Sequence, residues 1–164
     1  MFFDKIKEIC EKNEKVAMFI DMDGTILEYR IFGGEDQVIH AHEQLMNEKP
    51  ITPIIDVLKE INKIENVDLY ILSLAKTTKI VEEKKVWLNK YVDFIKKENW
   101  ILIDKEKGEY NSENRNIKKS EKMKEKLAEY NFVILLDDDH KILKETNKEL
   151  GDKAKVFHIS SALI

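Results

Sequence analysis

Cysteine occurs once, at Cys10, in a chain of 164 residues. A single thiol excludes an internal disulfide framework and a cysteine-rich zinc module, and it points to a reducing, cytoplasmic setting. Proline is almost as scarce, at 2 residues, and glycine stands at 5. That is too few for a flexible linker, a collagen-like repeat or a proline-rich tail. Charge of either sign is not in excess: Lys plus Arg total 28 and Asp plus Glu 32, a formal net charge of −4. This argues against a binder of nucleic-acid polymers, which would carry a basic face. Long apolar runs are missing too. No segment approaches the ~18 residues of a membrane span, and Met1-Phe2-Phe3-Asp4-Lys5-Ile6-Lys7-Glu8 puts charges where a signal peptide needs an apolar stretch. The expectation is one soluble cytoplasmic domain over residues 1–164, large enough for its own core.

Short apolar runs are plentiful. Val16 to Ile20, Val67 to Leu72, Trp100 to Ile103, Phe132 to Leu136 and Val156 to Ile159 are rich in β-branched or aromatic residues and show little alternation. That pattern predicts strands buried on both faces, as in a parallel sheet. Helical spacing separates them. Ile54, Leu58 and Ile61 follow Pro53, a residue suited to a first helical turn. Ile80, Val81, Trp87, Leu88, Tyr91 and Val92 form a second stripe, Ile117, Met123, Leu127 and Tyr130 a third, and Phe3, Ile6 and Cys10 an N-terminal one. Alternating strands and helices predict an α/β fold, a doubly wound, Rossmann-like parallel sheet. The stretch from Glu28 to Pro50 is too long for an ordinary strand-to-helix loop. With Gly33-Gly34 and a short helix expected from Val38 to Met46, it reads as a small cap inserted after strand 1. The Lys/Glu-rich segment from Lys118 to Lys126 reads as a solvated helix face.

Two acidic clusters fall at strand ends, Asp21-Met22-Asp23-Gly24-Thr25 and Asp137-Asp138-Asp139. In an open parallel sheet the ligand crevice lies at the carboxyl ends of the strands, so both clusters sit at that edge. Gathered carboxylates repel unless a cation neutralises them, and an open all-oxygen set suits Mg²⁺ with a substrate phosphate. For Asp139 alone, capping a helix is the better reading. Asp21 and Asp23 flank a turn, and Gly24 permits the tight backbone that would present amides to an anion.

Asp21-Met22-Asp23-Gly24-Thr25 resembles the first motif of the haloacid dehalogenase-like (HAD) phosphatase superfamily. The order also matches: this motif, an insertion, a Ser ending strand two, a Lys, then an acidic pair. The resemblance implies Asp21 as the nucleophile that becomes an aspartyl-phosphate and Asp23 as the acid that protonates the leaving oxygen and then activates water. It implies that Ser73 hydrogen-bonds the phosphoryl group, and that Asp21, the Asp23 carbonyl, Asp137 and Asp138 hold Mg²⁺. Taken alone, Ser73 would be an ordinary helix cap.

The chemistry needs a cation near Asp21 and the phosphoryl oxygens. On a helical wheel Lys84 falls in the middle of the arc formed by Ile80, Trp87, Leu88, Tyr91 and Val92. A lysine there needs an anionic partner, unless its ammonium snorkels to water. Lys119 and Lys124 sit at the edges of the Met123/Leu127 face, which favours Lys84. The segment from Lys84 to Trp87 resembles the Lys-x-x-Trp helix of the 5′(3′)-deoxyribonucleotidase family, where the lysine is the catalytic cation, and Val133 to Asp138 resembles that family's last motif. The insertion here is shorter, and its only aromatics are Tyr29 and Phe32.

His40 and His42 do not share a helical face and read as cap-surface or entry residues. His140 either tunes the acidic cluster or starts a helix, and Arg30 either meets a second anionic group or is solvated. The sequence therefore predicts a Mg²⁺-dependent phosphomonoester hydrolase acting on a small phosphorylated substrate. A nucleotide is one substrate class and a phosphosugar or similar metabolite the alternative; a non-catalytic binding module is the reading outside enzymology. A phospho-receiver domain does not fit, because here an acidic pair follows both the hydroxyl and the lysine.

Overall fold

The computed structural model describes residues 1–28 and 45–163, with Met46 described by its backbone alone. The expected helix from Val38 to Met46, and Tyr29, Arg30, Phe32, His40 and His42, fall outside the described residues, apart from the backbone of the 3₁₀ turn Leu45–Asn47.

Five parallel strands form one sheet: β1 (Val16–Ile20), β2 (Val67–Ala75), β3 (Trp100–Asp104), β4 (Phe132–Asp137) and β5 (Ala154–His158), in the order β3-β2-β1-β4-β5. Every residue of β1 is buried, as a central strand covered on both faces requires. β2 runs three residues beyond its expected end at Leu72, because β3 pairs with its C-terminal half, from Ile71↔Trp100 to Ala75↔Asp104. β5 begins two residues earlier than expected and stops at His158, leaving Ile159 to the next helix.

The helices are α1 (Phe2–Lys12), α2 (Thr52–Ile61), α3 (Thr78–Tyr91), α4 (Arg115–Lys126), α5 (His140–Leu150) and the single turn α6 (Ile159–Ala162). Alternate side chains of β1 divide the core in two, as strand geometry dictates. Val16, Met18 and Ile20 pack with Ile6 of α1, Leu58 of α2, Trp87 of α3 and Ile159 of α6. Ala17 and Phe19 pack on the other face with Met123 of α4 and Ile142 of α5. No helix among the described residues is long and apolar enough to cross a membrane.

The strand order reverses beside β1: the chain moves from β1 outward to β2 and β3, then returns to β1's other side as β4. The crevice of a doubly wound sheet opens at that switch, and Asp21 and Asp137 follow the paired residues Ile20 and Leu136 there. The long connection after β1 leaves and returns through a pinned stem. Glu28 N donates to Lys49 O at 2.8 Å, Ile51 N to Ile26 O at 2.7 Å, and Leu27 bridges Pro50. The Trp87 indole donates to Glu48 O at 2.9 Å, fixing the returning end against α3.

Candidate active site

An open cavity of about 940 Å³ lies at the carboxyl edge of the sheet, lined among others by Asp21, Asp23, Lys84, Lys119, Asp137 and Asp138. Asp21 is buried where β1 ends, and its two oxygens are held separately. Lys119 Nζ donates to Oδ1 at 2.7 Å, and Thr25 Oγ1 donates to Oδ2 at 3.0 Å. The same ammonium donates to Asp137 Oδ2 at 2.7 Å, while Asp137 Oδ1 accepts from Asp139 N at 3.0 Å. Lys119 is only 2% exposed. A buried ammonium is costly unless paired; burial works against this one, but Asp21 and Asp137 outweigh it and raise its pKa.

The sequence pattern puts Lys119 at the edge of the apolar face of a solvated helix. The expected cation beside Asp21 was Lys84, and the structure places Lys119 on Asp21 instead. Ile117 had drawn the apolar arc of α4 to one side, yet Ile117 is 36% exposed. The buried residues of that helix are Lys119, Ser120 and Met123, and the useful signal was Lys119 one turn ahead of Met123.

Lys84 is also sealed, at 1% exposure, as its central place in the apolar arc of α3 required. Its ammonium donates to Ser73 Oγ at 2.7 Å, Leu74 O at 2.8 Å and Asp23 Oδ2 at 3.0 Å. The structure thus brings Lys84, Ser73 and Asp23 together in one group, beside the group formed by Asp21, Lys119 and Asp137. Ser73 is not a helix cap: it lies inside β2, fully buried, with its hydroxyl under the Lys84 ammonium. Thr77 caps α3 instead, accepting from Ile80 N at 3.1 Å.

Asp138 completes an acidic cluster in which one oxygen each from Asp21, Asp137 and Asp138 lies within 4.8 Å of the others. The Asp23 carboxylate stands outside that cluster, on Lys84. Burial, then repulsion from Asp21 and Asp137, pushes the Asp138 carboxyl up to about 8. Asp21 is raised as well, chiefly by burial, with Lys119 opposing and Asp137 reinforcing the shift. Asp21 and Asp137 share the Lys119 ammonium while Asp138 presses against both of them, so the set is made only of oxygens and is short of positive charge. That donor set fits a hard divalent cation.

Gly24 serves the cluster differently from the sequence reading. Its amide donates to Leu27 O at 2.9 Å and that of Thr25 to Met22 O at 3.0 Å, so both are used inside the turn rather than offered to an anion. What requires glycine is a φ of +77° and the approach of Asp138, whose carboxylate a Cβ at this position would strike. Asp139 is a helix cap, as its sequence context indicated: Oδ1 accepts from Lys141 N at 2.9 Å and Ile142 N at 3.3 Å, and Oδ2 pairs with Arg115 at 3.0 Å. His140 starts α5 and stacks on His158 with centroids 4.3 Å apart.

Neither a protein-family model nor a curated protein sequence matches the chain. Among solved structures it is similar to the HAD domain of effector protein Lem4 from Legionella pneumophila, with 16% identity, a TM-score of 0.54, and 88% of this chain and 87% of that one covered. It is also similar to a class C acid phosphatase from Bacillus anthracis with tungstate bound, with 16% identity, a TM-score of 0.58, and 96% of this chain and 73% of that one covered. At such identities the likeness is one of fold: the five-stranded parallel sheet with flanking helices matches HAD-domain structures.

Proposed function

We propose that the chain is a Mg²⁺-dependent phosphomonoester hydrolase that works through an aspartyl-phosphate on Asp21. The observation that carries this reading is the separation of two carboxylates between two buried lysines. Lys119 holds Asp21 and Lys84 holds Asp23, so neighbours two residues apart have different partners and can take different roles.

Asp21, Asp138 and Asp137 would hold Mg²⁺ together with the Asp23 carbonyl, and Asp138 is the acid with most to gain from a cation. Bound there, the metal would screen the phosphoryl oxygens from the carboxylates and stabilise charge during transfer. Fixed by Lys119 and Thr25, Asp21 attacks phosphorus: its new O–P bond forms as the ester P–O bond breaks. Asp23, partly exposed to the cavity, gives a proton to the departing alcohol oxygen. It then takes one from water as water attacks the same phosphorus, releasing inorganic phosphate and restoring Asp21. Proton transfer of this kind contributes about 10²–10⁴-fold. Lys84 positions Asp23, and Ser73 in turn braces Lys84.

A nucleotide substrate, as the deoxyribonucleotidase resemblance implies, is the finer version of this reading. Trp87 bears on it only indirectly, because its indole nitrogen is committed to Glu48 O and anchors the returning stem. A small phosphorylated metabolite is the competing substrate class. Purified protein assayed on nucleoside monophosphates, phosphosugars and simple alkyl phosphates, with Mg²⁺ and with chelator, tests both levels. Mg²⁺-dependent phosphate release supports the hydrolase, and no release from any ester removes it.

A further inference from the structure

The cavity extends beyond the two lysine–aspartate groups, and the rest of its wall carries positive charge. Among the described residues, Lys76, Arg115 and Lys141 line it, while the one further carboxylate there, Asp139, is already used by Arg115 and the start of α5. Three helices, α3, α4 and α5, begin at this edge, adding the positive ends of their dipoles.

One neutral side chain on this wall stands out. Tyr110 is only 6% exposed, packed into the same core as Met123, and it lines the cavity. Among the described residues its hydroxyl has no hydrogen-bond partner. Its oxygen is not sealed from the cavity, so it is open to an acceptor from outside the chain. Burial, and next the fields of Arg115, which opposes, and of Asp104 and Asp23, leave its pKa raised, so it is a donor at neutral pH.

The segment holding Tyr110 is braced on both sides. Lys105 N donates to Ala75 O at 2.9 Å, Thr78 Oγ1 to Asp104 Oδ2 at 2.7 Å, and Asp104 Oδ1 accepts from Glu106 N at 2.9 Å. After it, Asn111 Oδ1 accepts from Asn114 N at 2.9 Å, leading into Arg115 at the start of α4. The hydroxyl is therefore pre-positioned rather than mobile, which lowers the cost of binding.

Resting on the hydrolase reading above, we propose that Tyr110 and Arg115 form a recognition subsite for a second anionic group on the alcohol portion of the substrate. The preferred substrates are then phosphomonoesters of acidic alcohols. The Tyr110 hydroxyl donates to one oxygen of that group and Arg115, whose pairing with Asp139 uses Nη1, donates to another, while the charge of Lys76 and Lys141 on the same wall draws the ester in. A neutral ester of the same size offers the hydroxyl no charged acceptor.

Two esters of matched size test this: 2-phosphoglycolate, with a carboxylate, and 2-hydroxyethyl phosphate, without one. A charge-assisted hydrogen bond is worth about tenfold in preference, so kcat/KM is expected to favour phosphoglycolate about tenfold. Tyr110→Phe, which keeps the ring packing, and Arg115→Gln should each bring that ratio most of the way to one, with Arg115→Lys retaining more of it than Arg115→Gln. A wild-type ratio near one, or a ratio unmoved in both variants, overturns the subsite. Equal losses on both esters would assign these residues to the phosphoryl group and also overturn it. Calorimetric binding of the same esters to Asp21→Asn protein reads the subsite without turnover. Absence of hydrolysis with a tenfold binding preference would sink the hydrolase and keep the subsite; hydrolysis with no preference would do the reverse.

Discussion

Lys119 and Asp21 lie 98 positions apart in the chain and meet at 2.7 Å, with the ammonium of one shared between the nucleophile candidate and Asp137. Removing one partner of a buried ion pair costs about 3–5 kcal/mol, because the remaining charges stay buried. Lys119→Met should therefore lower thermal stability sharply and reduce phosphatase kcat by about 100-fold or more. Lys122→Met, on the same helix, should change neither by a comparable amount. Thermal melts and a steady-state assay on the two variants check this; a fully active Lys119→Met protein would contradict it.

Lys84 acts through Asp23 and so should show a different signature. Losing it should cost about 10–100-fold on an alkyl phosphate, whose leaving oxygen needs a proton, and much less on p-nitrophenyl phosphate, whose leaving group does not. Equal losses on the two esters would place Lys84 on the phosphoryl group rather than behind the acid. Lys119→Met should be insensitive to that choice of ester.

Gly24 and Gly108 share positive φ values of +77° and +78°, but only Gly24 has a neighbour a Cβ would meet. Alanine at either site is strained by about 1 kcal/mol or more. Gly24→Ala should in addition displace the Asp138 carboxylate and weaken divalent-cation binding about tenfold or more. Calorimetric titration with Mg²⁺ separates the two; equal affinity in both variants would detach Asp138 from the metal.

Asp138 gives stability a particular pH dependence. Its folded pKa is raised to about 8 from an ordinary 3.8, so between those values the folded chain binds more protons than the unfolded chain. Stability linked to this group is then greatest at low pH and falls as pH rises through that window. The raised Asp21 carboxyl adds to the same trend. In chelator, the melting temperature should decline from pH 5 to pH 8 less steeply for Asp138→Asn than for wild type. Mg²⁺ should stabilise the wild type more at pH 8 than at pH 5. A steeper decline in the variant would contradict the assignment.

Much of this was visible in the sequence because it depends on local pattern. Five short apolar runs became five parallel strands, and the acidic clusters fell at the switch in strand order because strand ends fix where side chains emerge. Lys84 was legible as a charge centred in an apolar stripe. Lys119 is harder to see, because its helix is lysine-rich and a stripe drawn through the exposed Ile117 hides the turn that joins Lys119 to Met123. Gly24 was legible as a turn residue, but its need to admit Asp138 joins segments more than a hundred residues apart, which no local pattern records. Tyr110 lay outside every periodic stripe, and its position comes from the turns on either side.

The central claim is that Asp21 is the phosphoryl acceptor. Asp21→Asn retains size and shape and removes the nucleophilic charge. Phosphate release from a simple ester in Mg²⁺ should fall to background in this variant, while its melting curve remains cooperative. Wild-type-like release from the folded Asp21→Asn protein would contradict the account.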